Sequence, residues 1–73
     1  MAIQIVMDRT GDSRYLFNLQ AAQEVGRAEQ RFDELTKVGF TAAIRTGTGQ
    51  LSQIKSFDPN AEETVFFPRL VGG

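Results

Sequence analysis

The stretch from Gln20 to Phe40 constrains the fold more than any other part of the chain. Ala21, Val25, Ala28, Phe32, Leu35 and Val38 recur every three or four positions, while Glu24, Arg27, Gln30, Arg31 and Glu34 occupy the positions between them. That spacing puts one apolar stripe along a helix and leaves its other sides in water. Asn18 is placed to accept hydrogen bonds from the first free backbone N–H groups. Lys37 lies near the negative end of the helix dipole, and Gly39 can take the left-handed conformation that ends a helix, with Phe40 folding back onto Leu35. Gly26 weakens the middle by about 1 kcal/mol relative to alanine and is read as having no functional role. A single stripe needs a single partner surface, which the remainder of a 73-residue chain must supply.

Alternation on both sides of the helix makes that surface a sheet. Ile3, Ile5 and Met7 fall on one side of a first strand and Gln4, Val6 and Asp8 on the other, and the β-branched set is expected to face inward. Asp8 to Ser13 carries turn residues, with Gly11 suited to positive φ, before Arg14–Phe17 resumes an extended course, so the first eighteen residues read as a hairpin. After Gly39, the alternates Phe40, Ala42 and Ile44 point inward from a third strand. Thr46–Gly49 is a turn, and Gln50–Phe57 fits an irregular, bulged fourth strand. Asp58 followed by Pro59 suits one capped helical turn. Thr64–Leu70 is the last strand, and Pro68, which has no N–H to donate, should end the pairing on its side. Val25, Phe32 and Leu35 are then expected to bury against Ile3, Ile5, Ile44 and Val65. The order strand, strand, helix, strand, strand, strand is an α+β arrangement: a mixed sheet of four to five strands packed on one helix.

Composition removes several functions. With no Cys and no His, neither a disulfide nor the usual metal ligands are available, and no side chain relays protons near neutral pH. A net charge of −1 provides no basic face for nucleic acid. Glu62-Glu63 is the nearest approach to a carboxylate pair and reads as solvated. Gly47-Thr48-Gly49 lacks the Lys and the following helix of a phosphate loop. No catalytic constellation emerges, so the chain is expected to be neither an enzyme nor a holder of cofactors or metal. Met1-Ala2-Ile3-Gln4 has neither the basic start nor the apolar middle of a signal peptide, and the apolar runs are short, so a cytoplasmic location without membrane contact is expected.

The last residues carry the functional signal. Gly72-Gly73 follows a β-rich run, and without side chains such a thread enters a narrow channel and leaves its terminal carbonyl open to attack. With Pro68-Arg69-Leu70-Val71-Gly72-Gly73 as its end, the chain resembles the ubiquitin-like, β-grasp superfamily, whose members finish in Gly-Gly after a last strand. Arg69-Leu70, one residue and Gly-Gly looks like the tail of ubiquitin. Phe66-Phe67-Pro68 with a later Val-Gly-Gly is similar to the small-subunit sulfur carriers of molybdopterin synthases. The resemblance implies one ubiquitin-like domain over residues 1–73, with 69–73 as a flexible tail and the first and last strands parallel at the sheet's centre. It implies that a separate adenylating enzyme activates the Gly73 carboxylate, with Gly72 giving access and Arg69, Leu70 and Val71 read by that enzyme. A conjugating enzyme, a processing peptidase and target proteins complete the implied partners. On this reading the chain is a protein modifier joined to target amines. The alternatives are a sulfur carrier ending in a thiocarboxylate and a non-covalent adaptor. Lys37 and Lys55 are the only lysines, against six Arg, and are the internal acceptors for self-conjugation. Lys37, at a helix end, is expected to be the more accessible.

Overall fold

The computed structural model describes residues 1–68. Strands β1 (Ala2–Asp8) and β2 (Gly11–Phe17) pair antiparallel from Ala2↔Phe17 to Asp8↔Gly11. The expected hairpin closes through Gly11 at φ +123°, while the Asp8 carboxylate accepts both the N–H (2.8 Å) and the hydroxyl (2.6 Å) of Thr10. A long connection then places β5 (Glu63–Pro68) parallel to β1, with Ile3↔Glu63 and Val6↔Phe66 in register. Strand β3 (Phe40–Arg45) pairs antiparallel with β5 on its other side, and β4 (Leu51–Ile54) closes the sheet, giving the order β2-β1-β5-β3-β4. With one helix on this five-stranded mixed sheet, the fold is α+β and consistent with a β-grasp.

Helix α1 spans Ala22–Lys37, and Gly39 at φ +111° ends it as the sequence implied, with its N–H donating to the Thr36 carbonyl at 3.2 Å. Its start differs from expectation. Ala21 is the first capping residue and has no side-chain bond, whereas Asn18 organises the turn before it. The Asn18 side chain accepts the Gln20 N–H (2.9 Å), its carbonyl accepts the Ala21 N–H (3.0 Å), and its own N–H donates to Glu24 (2.9 Å). Side-chain oxygens of this kind stabilise a tight turn as readily as a helix end, and here the turn wins.

The face that meets the helix is the opposite of the one expected for β1. Ala2, Gln4 and Val6 are buried, while Ile3 and Ile5 are half-buried and Met7 is exposed. Phe32 packs with Val6, Ala42 and Phe66, and Leu35, Phe40, Ile54 and Phe57 lie against that group. Ala28 packs with Ala2 and Phe17, beside Val25. So Ile3, Ile5 and Val65 do not receive the helix: register places them on the other side of the sheet. Alternation fixes a period but not a phase, and with apolar residues on both faces of β1 the phase is set by what fits beneath the helix. Small Ala2 and Ala42 allow close approach, and Phe66 fills the centre. Val38, expected in the helical stripe, follows the last turn and is 72% exposed.

Two smaller expectations also change. The β3–β4 register runs one to one from Ala42↔Ile54 to Arg45↔Leu51, so the paired span holds no bulge. Asp58–Ala61 forms a hydrogen-bonded turn, with Ala61 N–H on the Asp58 carbonyl at 3.2 Å and Asn60 N–H on the Asp58 side chain at 2.9 Å, and no helix follows. Pro68 is the last residue of β5, opposite Phe40, where loss of a donor was expected to weaken the pairing.

Candidate functional site

Arg69, Leu70, Val71, Gly72 and Gly73 lie outside the described residues, and what the structure places is their point of departure. That point is the end of β5, the strand held between β1 and β3. Thr64, Val65 and Phe66 are all buried. Phe66 is wholly enclosed, and its ring meets Phe32 edge-on at a centroid distance of 5.6 Å. Such a strand cannot shift without disturbing both neighbours and the helix, so β5 is held on both sides as far as Phe66, and Pro68 beyond it keeps Phe40 of β3 as its register partner. A shallow depression lined by Thr36, Gly39, Phe40, Ala42, Ile54 and Lys55 opens beside it, because Phe40 is the register partner of Pro68.

The two lysines expected as acceptors are both exposed, Lys37 in the last turn of α1 and Lys55 just past the end of β4. Burial therefore does not separate them. Glu62 and Glu63 do not act as a pair: Glu63 accepts from the Arg45 guanidinium at 3.0 Å, and Glu62 is exposed.

Two features went unread in the sequence. The first is the sheet face away from the helix, where register gathers Ile3, Ile5, Met7, Leu16, Val65 and Phe67. Leu16 is 66% and Met7 42% exposed there, and the Arg45–Glu63 pair borders this face at one end. The signal was available: β1 and β5 hold more β-branched and aromatic residues than one face of a sheet uses. The second is a buried polar link. The Gln4 amide, fully enclosed, donates to the Ala28 carbonyl at 2.9 Å and accepts from Arg31 at 2.8 Å. The same guanidinium lies 4.0 Å from the centre of the Tyr15 ring. These contacts satisfy Gln4 and hold Arg31 between the helix and β2.

The Asp8 carboxyl is held below its ordinary value of 3.8, chiefly by the Thr10 hydroxyl and then by the Thr10 N–H, which bind the charged form. It steadies a turn at the end of the sheet. No helix among the described residues is long and apolar enough to cross a membrane. Compared with protein-family models, curated proteins and solved structures, the chain matches none.

Proposed function

We propose that the chain is a ubiquitin-like protein modifier whose Gly73 carboxylate, free as such or released by a peptidase cutting after the Gly-Gly pair, is activated by a separate adenylating enzyme. The carboxylate oxygen attacks the α-phosphorus of ATP and pyrophosphate leaves. A thiolate of the activating or conjugating enzyme then takes the acyl carbon and AMP leaves. A target lysine amine displaces the thiolate, loses a proton and forms an isopeptide bond. The chain itself performs no catalysis on this reading, and the ATP it relies on is available in the cytoplasm.

The observation that carries the reading is the parallel β1–β5 pair at the centre of the sheet, from which β5 runs directly to Pro68 and the Arg69–Gly73 segment. A strand anchored on both sides delivers a short segment to an enzyme from a defined origin, and Arg69 supplies a guanidinium able to pair with carboxylates of the partner. Phe66-Phe67-Pro68 supports a second reading, in which the same adenylate meets a sulfur donor and becomes a thiocarboxylate. The uncovered apolar sheet face supports a third, a non-covalent adaptor. Intact-mass measurement after incubation with ATP and a candidate activating enzyme, with and without added sulfide as the sulfur nucleophile that displaces AMP, separates them. A thioester or isopeptide adduct supports the modifier, and exchange of oxygen for sulfur supports the carrier. Recovery of unmodified chain, with an enzyme active on its own substrate, rejects both.

A further inference from the structure

We propose that the activated Gly73 carbonyl closes on the Nζ of Lys55 in the same molecule, forming an internal isopeptide, with the depression between the start of β3 and the end of β4 as the seat for residues 69–73. Lys55 and Pro68 stand at the same end of the sheet. In the order β2-β1-β5-β3-β4 only β3 separates their strands, Pro68 is opposite Phe40, and Lys55 follows Ile54, which is opposite Ala42. Two strand spacings of about 4.8 Å and an offset of one residue, about 3.4 Å, put the two Cα positions roughly 10 Å apart. A segment of the length of 69–73 spans at most about 17 Å when extended, and a coil of that length averages about 12 Å end to end. The gap is therefore close to the length at which a tether holds its end at the highest effective concentration, about millimolar.

The lining decides between the two lysines. Lys37 is also exposed near this end, in the last turn of α1, but the depression is lined by Thr36, Phe40, Ala42, Gln53, Ile54 and Lys55 and not by Lys37. It thus joins Phe40, the partner of Pro68, to the Lys55 amine. Phe40 and Ile54 are half-buried and offer apolar surface to Leu70 and Val71. Among the described residues the one ion pair is Arg45–Glu63, so no described carboxylate holds the Lys55 ammonium, and before activation the Gly73 carboxylate is its match in charge. Once Gly73 is a thioester, the neutral Lys55 amine attacks its acyl carbon, the C–N bond forms, the C–S bond breaks, thiolate leaves and the amine proton passes to solvent. The closed chain has no free terminal carboxylate, so closure ends its use as a modifier. This inference rests on the proposed activation of Gly73 for its acyl group, while its geometry does not.

The test supplies the acyl group chemically. The full chain is released from an intein fusion as the Gly73 thioester of mercaptoethanesulfonate, held dilute at mildly alkaline pH, and followed by intact mass and peptide mapping. Expected is a product lighter than the free acid by one water, with Lys55 joined to Gly73, formed at a rate independent of protein concentration. Lys55→Arg should cut that product at least about tenfold, whereas Lys37→Arg should leave its rate within about twofold of the parent's. In concentrated urea the sheet positions neither lysine, and the preference for Lys55 over Lys37 should shrink to about threefold, the ratio that loop length alone sets. Hydrolysis alone would overturn the proposal. So would closure at Lys37 or at the N-terminus, a dimer whose yield rises with concentration, or the same Lys55 preference in urea as in water. No enzyme takes part, so a failed closure leaves the modifier reading standing, whereas absence of any adduct with ATP and the activating enzyme counts against that reading and not against the ring.

Discussion

Replacing Phe32 by alanine tests the core most sharply. The side chain is 1% exposed and lies between Phe66, at 5.6 Å and 68° between rings, and Phe57, at 6.0 Å and 66°. It also packs on Val6 and Ala42, so the substitution opens a cavity bounded by helix, sheet and the 55–62 connection at once. Truncations of this type cost about 3–5 kcal/mol, to which lost edge-to-face contacts contribute roughly 0.5–1.5 kcal/mol each. A domain of this length is expected to hold about 4–11 kcal/mol in total, so the variant gives up from about a quarter to all of it. Its melting temperature should fall by more than about 12 °C. Urea denaturation followed by circular dichroism at 25 °C reads the loss, with Val38→Ala as the control, because Val38 is 72% exposed and should change stability by less than about 0.5 kcal/mol. A Phe32→Ala protein within about 1 kcal/mol of the parent would refute the placement of the core.

Other outcomes follow from the same structure. Gly26→Ala should stabilise by about 0.5–1 kcal/mol, since the added Cβ meets nothing within 4 Å, whereas Gly39→Ala should destabilise by about 1–2 kcal/mol because the backbone there is at φ +111°; paired urea titrations check both. Asp8 has a depressed pKa in the folded state, so its contribution is present above its unfolded value near 3.8 and lost as pH falls through the lower folded value. Asp8→Asn should therefore flatten the stability profile in that acid window alone, as measured by thermal melts across pH. Changing Lys37 and Lys55 to Arg together should remove internal acceptors from any self-conjugate, and long chains persisting in peptide maps with the N-terminus blocked would contradict their role as acceptors.

The helix was legible because its stripe and Gly39 report on the same element from two directions. Element order and the central parallel strands were legible too, the latter through the resemblance at residues 66–73. The phase of β1 was not. Ile3 and Ile5 have high strand preference whichever way they face, and nothing local reveals that Gln4, rather than an isoleucine, lies under the helix. That placement depends on Ala28 and Arg31, which lie 24 and 27 residues away in sequence. Asn18 was misassigned for a more local reason: an Asx side chain serves a turn and a helix end equally, and here it accepts the Gln20 N–H two residues on, before the helix begins. The uncovered apolar face was hidden by the same assumption, that the more apolar side of a strand must be the covered one.

The central claim is that Gly73 is a chemical handle and not part of the fold, and deleting it puts both halves of that claim to the test. Among the described residues, the two packed clusters are built from residues between Ala2 and Phe66, and on this account the fold stands on them without Gly73. With a competent activating enzyme, ATP–pyrophosphate exchange should disappear for the shortened chain, while its melting temperature matches the parent's. Exchange that persists without Gly73, or a shortened chain that unfolds, would contradict the account.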